Sequence, residues 1–284
     1  MNPYVGLDIG GTKFLVASAN EHGEIIQRVQ AGALTDLLEG IDLLHQMVAA
    51  VIGGEPIAGM GAAIGGPLDW QAGVVSPLHQ PAWRGVPLKA IMQQRWGCPF
   101  WVDVDTNVAA LGEYAFGGES ARGLLYITLS TGMGGGFLLS GKIYRGMQGG
   151  HPEIGHMSVP FRCSNPAGVM CECGAPDCLE ALVSGNGIQR IYGKRAEYLS
   201  EEEWDEVAFN LGLGLRNLAA LYNPDVIAIG GGLAYGRGEK LIQRAGEVMR
   251  QRLFLVAPPE VRLSRLGYDT ALLGAIAAAI HGIE

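Results

Sequence analysis

The stretch YVGLDIGGTKFLVASA, residues 4–19, consists of two short apolar runs joined by a pair of glycines. The runs 4–9 and 14–19 are typical of β-strands, and Gly10 and Gly11 between them predict a tight hairpin turn. Glycine also lets the backbone come unusually close to another group, because it has no Cβ atom. The stretch therefore predicts a β-hairpin whose turn can approach a ligand.

The residues around this turn are those that a phosphate group needs. The amides of the two glycines can donate to an anion, as in a phosphate-binding nest. Thr12 would add a hydroxyl and Lys13 a positive charge, while Asp8 could hold Mg²⁺ through water because hard cations take oxygen ligands. A plain hairpin with a surface lysine is the alternative, and the motif alone does not decide between the two.

A second strand, glycine-rich turn and strand occur about halfway along the chain, at 124–129, 130–136 and 137–139. Each hairpin is followed later by an apolar run that ends in paired glycines, at 61–67 and 226–232. The chain is therefore predicted to consist of two related halves, each with a phosphate hairpin. Two hairpins that face each other would hold a nucleotide between domains.

Between these landmarks, apolar residues alternate between helical and strand periodicity, which predicts an α/β architecture. Strands are predicted at 57–64 and 100–104. Helices are predicted at 35–52, 88–96, 106–116, 203–222, 239–253 and 270–280.

The segment 149–180 concentrates metal-ligand side chains. Its spacing, His156-x14-Cys171-x-Cys173-x4-Cys178, supplies four ligands of the types found in tetrahedral structural zinc sites. Gly174 would allow the sharp turn that returns Cys178 to the same ion. Buried free thiols are the alternative interpretation. We expect a Zn²⁺ site here, and Cys163 fits the spacing less well than the other cysteines.

Asp105 follows the predicted strand 100–104 and precedes the predicted helix that starts at Thr106. Ligands of α/β proteins bind at the carboxyl edge of the sheet, and a carboxylate there can serve as a general base toward a substrate hydroxyl. Asp105 or Thr106 could instead be the N-cap of the helix, and the local sequence by itself favours the cap.

Composition and charge exclude other classes of partner. The net charge of −8 and the pI near 5.3 disfavour nucleic acid and anionic membranes, which need a basic face. The N-terminal residues lack the basic region of a signal peptide, and the apolar run 271–280 is too short to span a bilayer. Cysteines that are spaced as metal ligands are typical of a reducing compartment. We expect a cytoplasmic protein.

Taken together, these motifs resemble those of the ROK family, which contains repressors, uncharacterised open reading frames and sugar kinases. The resemblance runs nearly end to end. Its first phosphate motif is similar to residues 8–13, its second to 130–136, and its signature to the segments 153–157 and 171–180.

The resemblance implies an actin-like ATPase fold (ribonuclease H-like), in which two α/β domains close over ATP, Mg²⁺ and a hexose in an interdomain cleft. We expect a smaller domain formed by 1–115 and 268–284 and a larger one, 116–267, that carries the zinc loop. The family often forms homodimers, so a homodimer is expected.

The resemblance also assigns roles to individual residues. It makes Asp105 the catalytic base, reversing the local preference for a cap. Hexose contacts are implied for Gly65, Gly66, Pro67, Asp105, Glu153, His156 and Glu180, with His156 also binding zinc. Nucleotide contacts are implied for Asp8, Gly10, Gly11, Thr12, Lys13, Thr131, Gly132, Gly134, Gly135, Gly231 and Gly232.

The expected activity is ATP-dependent phosphorylation of the 6-hydroxyl of a hexose. Glucose is slightly preferred, and fructose, N-acetylmannosamine and N-acetylglucosamine are the alternatives. Two departures bear on the choice: Val104 replaces an asparagine common in family sugar kinases, and His151-Pro152 replaces the usual Ala-Gly. The alternative of a different class is a non-catalytic, sugar-sensing regulator. Against it, the phosphate motif starts within ten residues of Met1, where we expect no helix-turn-helix, and the chain is acidic.

Overall fold

The structure is a computed structural model that describes residues 2–118 and 120–283. The strands within these ranges are β1 (Tyr4–Ile9), β2 (Lys13–Ala19), β3 (Ile25–Gly32), β4 (Gly59–Ile64), β5 (Leu68–Asp69), β6 (Val74–Val75), β7 (Phe100–Val104), β8 (Gly123–Leu129), β9 (Met133–Leu139), β10 (Lys142–Ile143), β11 (Val226–Gly230) and β12 (Glu260–Leu263). The α-helices are α1 (Leu37–Ile52), α2 (Leu88–Trp96), α3 (Asp105–Phe116), α4 (Leu179–Val183), α5 (Gly185–Tyr192), α6 (Glu201–Tyr222), α7 (Gly232–Arg237), α8 (Glu239–Arg250) and α9 (Thr270–His281).

The chain separates into two compact units. Unit 1 contains residues 1–120, 141–151 and 269–284, and unit 2 contains 121–140 and 152–268. The domain limits inferred from the sequence stay a prediction.

Unit 1 is built on a sheet with the strand order β3-β2-β1-β4-β7. The first three strands are antiparallel, whereas β1, β4 and β7 run parallel. Buried residues such as Leu7, Phe14 and Trp83 form the core with α1 on one side. On the other side α3 and α9 pack closely, because Gly274 lies against the backbone of Val108, where a Cβ would come within 1.9 Å of the carbonyl oxygen.

Unit 2 repeats this plan. Its strands run in the order β9-β8-β11-β12, with β8 and β9 antiparallel and the other pairs parallel. Leu211 and Leu215 of α6 lie in the core with Ile227 and Ile229 of β11. A capping box at Ser200 and Glu203 begins α6. The shared strand order confirms the prediction of two related halves.

Most predicted elements are confirmed, and the differences are local. The second hairpin turn is limited to 130–132, since the glycines from Gly134 onward already lie in β9. The predicted helix 239–253 ends at Arg250. Helix α3 begins one residue earlier than predicted, at Asp105. Strands β3 and β12 were not predicted from the sequence.

Candidate active site and metal centre

Unit 1 brings three of the predicted segments to one edge of its sheet. In the parallel register, Ile9 lies beside Ile64, and Ile64 lies beside Val104. The next residue along each strand direction is Gly10, Gly65 and Asp105, respectively. The first phosphate motif, the paired glycines after β4 and the candidate base therefore share the carboxyl edge of the sheet, where α/β proteins bind ligands.

The hairpin turn after β1 is open and carries charge. Gly10 N–H donates to the Lys13 carbonyl at 3.1 Å, and Gly11, Thr12 and Lys13 are exposed. Asp8 is half-buried, and its pKa is raised from 3.8 to about 6, mainly by burial. The negative charge of Asp105 contributes to this rise, while Lys13 opposes it.

Asp105 is not the helix cap that the local sequence favoured. The N-cap position is Val104, which has no capping side chain, and Asp105 is the first residue of α3. Its carboxylate accepts the Thr106 amide at 2.8 Å. The residue is exposed to solvent, yet the protein around it raises its pKa by desolvation. The Thr106 amide and the nearby His151 and His79 oppose this rise in pKa.

Of the two histidines whose charges act on Asp105, His151 was singled out from the sequence and His79 was not. His79 follows Leu78, whose amide donates to the Gly66 carbonyl at 3.0 Å. The next residue, Gln80, donates from Nε2 to the Gly10 carbonyl at 3.2 Å. These two bonds fix a loop that ties the two glycine turns together and carries His79. No local sequence pattern marks it, because its partners lie far away in the chain.

The corresponding edge of unit 2 holds the second glycine turn. Ser130 N–H donates to the Gly132 carbonyl at 3.0 Å, and the Ser130 carbonyl accepts the Gly185 amide at 2.8 Å. Gly231 follows the adjacent strand with φ +96, and a Cβ there would lie 2.4 Å from the Leu129 carbonyl oxygen. Only glycine fits this approach of two strand ends, which places Gly231 and Gly232 beside the turn.

The four predicted metal ligands come together in unit 2. The ligand atoms of His156, Cys171, Cys173 and Cys178 all lie within 4.8 Å of one another. The Cys171 sulfur is 3.4 Å from His156 Nδ1, and the Cys173 and Cys178 sulfurs are 3.5 Å apart. Ligands of a tetrahedral zinc lie roughly 3.5 to 4 Å apart, given bonds of about 2.0 to 2.3 Å. The donor set and its spacing therefore fit Zn²⁺.

The predicted turn inside this cluster is confirmed. Gly174 has φ +94 and donates to the Cys171 carbonyl at 3.0 Å. Cys163 lies outside the cluster. Burial raises the pKa of the Cys171 and Cys178 thiols, whereas the Ala175 amide lowers that of Cys173.

Two carboxylates border the cluster. Glu180 accepts the Met133 amide at 2.9 Å, and its other oxygen lies 3.7 Å from the Cys171 sulfur. It thus stands between the second glycine turn and the metal ligands. Glu153 is exposed and lies 3.9 Å from His156 Nε2, the ring nitrogen that faces away from the cysteines. A metal on Nδ1 would leave Nε2–H for a second acceptor.

The predicted site residues divide between the two units. Unit 1 holds Asp8, Gly10, Gly11, Thr12, Lys13, Gly65, Gly66, Pro67 and Asp105. Unit 2 holds Thr131, Gly132, Gly134, Gly135, Glu153, His156, Cys171, Cys173, Cys178, Glu180, Gly231 and Gly232.

Among residues 2–118 and 120–283, every helix is too short or too polar to cross a bilayer.

Known proteins are similar to this chain in sequence and fold. The chain is 31% identical to a glucokinase of Halalkalibacterium halodurans, over 95% of this chain and 93% of that protein. It is 28% identical to a putative xylose repressor of a Caldicellulosiruptor species, over 97% of this chain and 77% of that protein. A ROK family glucokinase from Streptomyces griseus, solved with glucose and AMPPNP, superposes with a TM-score of 0.80 at 28% identity, covering 98% and 99% of the two chains.

The family includes both sugar kinases and repressors, and the chain has its actin-like ATPase fold. The ROK family matches residues 4–281, almost the whole sequence. The chain belongs to the ROK family.

Proposed function

We propose that this protein is an ATP- and Mg²⁺-dependent hexose kinase that phosphorylates the 6-hydroxyl of its sugar, with glucose the first substrate to test. The observation that carries the proposal is the position of Asp105. It lies level with Gly10 and Gly65 at the carboxyl edge of the unit 1 sheet, it is exposed, and its pKa is raised. A carboxylate with a raised pKa in that place is suited to accept a proton from a bound hydroxyl.

In the proposed reaction, Asp105 takes the proton of the sugar hydroxyl as the hydroxyl oxygen attacks the γ-phosphorus of ATP. A new O–P bond forms, the bond from the γ-phosphorus to the bridging oxygen breaks, and ADP leaves. Charge spreads over the phosphoryl oxygens in the transition state, so catalysis rests on positioning and electrostatics. Lys13 and the Gly10 and Gly11 amides would stabilise that charge.

The remaining nucleotide contacts follow from the two turns. Asp8 would hold Mg²⁺ through water, and Thr12 would donate its hydroxyl to a phosphate oxygen. In unit 2 the proposed nucleotide contacts are the edge residues Thr131, Gly132, Gly134, Gly135, Gly231 and Gly232. The absence of side chains at most of these positions lets backbone amides approach an anion.

Sugar hydroxyls are proposed to bind to Gly65, Gly66, Pro67, Glu153, His156 and Glu180. Zn²⁺ on His156, Cys171, Cys173 and Cys178 would have a structural role. It would fix the His156 ring so that Nε2–H points away from the cysteines, toward an acceptor on the sugar or on Glu153. We further propose a homodimer, which size-exclusion chromatography with light scattering would test.

A sugar-sensing regulator without catalysis is the second candidate, because a putative repressor is among the relatives. The two functions differ in turnover. A coupled ADP-release assay on zinc-replete protein with glucose, fructose, mannose and their N-acetyl derivatives separates them. The kinase predicts sugar-dependent ADP release with at least one of these sugars. Hexose binding without turnover would favour the regulator, and neither binding nor turnover would exclude both.

A further inference from the structure

The segment 141–151, here called the connecting segment, lies in unit 1, although the residues on either side of it in the chain lie in unit 2. Its second half is a compact turn: the Gly146 amide donates to the Gly150 carbonyl at 2.7 Å, and the Gly149 amide to the Gly146 carbonyl at 3.1 Å. Met147 in the middle of this turn is 89% exposed, so its side chain does not anchor the turn by apolar burial.

A largely buried ion pair anchors the chain just before this turn. Arg145 Nη2 donates to Asp103 Oδ2 at 2.5 Å, and the side chains of Arg145 and Asp103 are 12% and 1% exposed. The other oxygen of Asp103 accepts Asn107 Nδ2 at 3.1 Å. Asp103 belongs to β7, two residues before Asp105. The pair therefore ties the connecting segment to the strand that carries the candidate base.

Trp70 secures the same segment at a second point. The Arg145 guanidinium stacks on the Trp70 ring at 3.9 Å from its centroid, a distance suited to a cation–π interaction. Gly149 has φ +79, and a Cβ there would come within 2.8 Å of the Trp70 indole nitrogen. Arg145 and Gly149 thus both lie against the Trp70 ring. These two contacts fix the course of the chain toward His151.

His151, two residues beyond Gly149, reaches the sheet edge. A Cβ placed on Gly66 would lie 3.5 Å from His151 Cε1 and 3.5 Å from a methyl of Val104. The imidazole is also one of the groups that lower the pKa of Asp105. His151 therefore stands beside Gly66 of the proposed hexose site and near Val104, the residue before Asp105.

Several buried polar atoms at and near the ion pair lack a hydrogen-bond partner. Within the described residues, Arg145 Nε and Nη1, Asn107 Oδ1 and Thr106 Oγ1 are buried without a hydrogen-bond partner. Buried polar groups are normally paired, so such a cluster marks a place where water or a polar ligand completes the bonding.

We propose that His151 is a hexose-contacting residue and that Arg145 is a positioning residue, whose ion pair with Asp103 holds the connecting segment so that the imidazole lies beside Gly66 and can hydrogen-bond a sugar hydroxyl. This inference rests on the proposed hexose site. It adds a specificity-determining side chain supplied by unit 1.

The test compares His151→Ala, Arg145→Met and the double variant. Hexose Kd is measured by calorimetry without nucleotide, and KM for hexose and ATP by steady-state kinetics. Each single change is expected to weaken hexose binding by about 10- to 100-fold, as loss of positioning does, while KM for ATP stays within about twofold. Because Arg145 acts through His151, the double variant should bind hexose no worse than about twofold beyond His151→Ala.

Folding must be separated from positioning, because Arg145→Met leaves Asp103 buried and unpaired. The pair Asp103→Asn with Arg145→Met removes both charges and should restore thermal stability without restoring hexose affinity. Arg145→Lys keeps the charge but loses the planar guanidinium that stacks on Trp70, and it should retain part of the affinity that Arg145→Met loses. Arg95→Met is the matched control, since Arg95 is exposed and stacks on Trp96 at 5.2 Å away from this segment.

Additive losses in the double variant would overturn the role of Arg145, and an unchanged hexose Kd in His151→Ala would overturn the whole inference. Failure of the proposed function has a different signature. Wild-type protein that binds a hexose but does not turn it over would refute the kinase, while the variant Kd values would still decide this inference. Wild-type protein that binds no hexose would refute both.

Discussion

Unit 1 and unit 2 share an order of four strands, β2-β1-β4-β7 in unit 1 and β9-β8-β11-β12 in unit 2, yet they carry their polar groups in different parts of that topology. The third parallel strand of unit 1, β7, is followed directly by the exposed Asp105. In unit 2 the equivalent strand, β12, is followed by Ser264, which is 6% exposed and donates its amide to the Ile229 carbonyl at 2.9 Å. The residue after the third parallel strand is thus an exposed carboxylate in unit 1 and a buried, hydrogen-bonded serine in unit 2.

The reverse holds for the segments between strands. In unit 1 a single helix, α1, connects the hairpin sheet to β4. In unit 2 the residues between β9 and β11 include the metal-ligand cluster and three helices, α4 to α6, of the described chain. The two units thus share the sheet edge that ligands can approach. They differ in the residue at that edge, Asp105 in unit 1, and in the segment between β9 and β11, which contains the metal-ligand cluster of unit 2.

The largest effect on stability is expected at the metal-ligand cluster of unit 2. Cys171→Ser removes a buried ligand, so the protein should lose its zinc, and unit 2 should lose about 4 kcal/mol of stability, or roughly 10 °C in Tm. Metal analysis and thermal unfolding check this. Cys163→Ser is the matched control, because Cys163 lies in unit 2 outside the cluster. Equal zinc content in both variants would mean that the four side chains do not form a metal site.

The next effect concerns Asp105, whose equivalent position in unit 2 is the buried Ser264. Asp105→Asn keeps the shape and removes the base, so kcat should fall by about 10²- to 10⁴-fold while hexose affinity changes little. Steady-state kinetics and calorimetry measure the two quantities. Asp42→Asn, an exposed change on α1, serves as the control. A kcat within tenfold of wild type would show that Asp105 is not the base.

The strand ends with paired glycines offer a finer comparison. Gly231→Ala should cost about 2 to 4 kcal/mol, because φ is +96 and the new Cβ would meet the Leu129 carbonyl at 2.4 Å. In unit 1 a Cβ on Gly65 meets only Pro77 at 3.8 Å, so Gly65→Ala should cost less than about 1 kcal/mol. Gly232→Ala has no atom within 4 Å and should be near neutral. Urea unfolding that ranks the three variants equally would contradict this difference between the units.

The smallest effect is a pH dependence of unit 1. The pKa of Asp8 rises from 3.8 to about 6 on folding, so its contribution to stability is fully present below pH 3.8 and is lost as the pH rises through 6. Asp8→Asn should therefore stabilise the Mg²⁺-free protein at pH 7 by about 1 to 2 kcal/mol, and much less at pH 4. Urea unfolding at the two pH values measures this. A gain that is larger at pH 4 would reverse the sign and refute the raised pKa.

The sequence predicts best what is local in the chain. The hairpin turns, β7 and the metal ligands each depend on patterns within about thirty residues, and all are present in the structure. Strand β3 escaped prediction because it is an edge strand paired only with β2, and most of its side chains are exposed, which weakens the apolar pattern. The sequence did not predict that Asp105 lies inside α3 and is not its N-cap. It also did not predict the position of His79, because hydrogen bonds to residues distant in the chain hold its loop.

The proposed kinase transfers the γ-phosphoryl group of ATP to a hexose. Phosphorus NMR of the zinc- and Mg²⁺-loaded protein with ATP and one hexose at a time detects this transfer, and the Asp105→Asn variant is run beside it. We expect a sugar phosphomonoester that forms in step with ADP for at least one hexose and is lost in the variant. Hexose binding with no phosphomonoester, or with inorganic phosphate as the only new product, would contradict it.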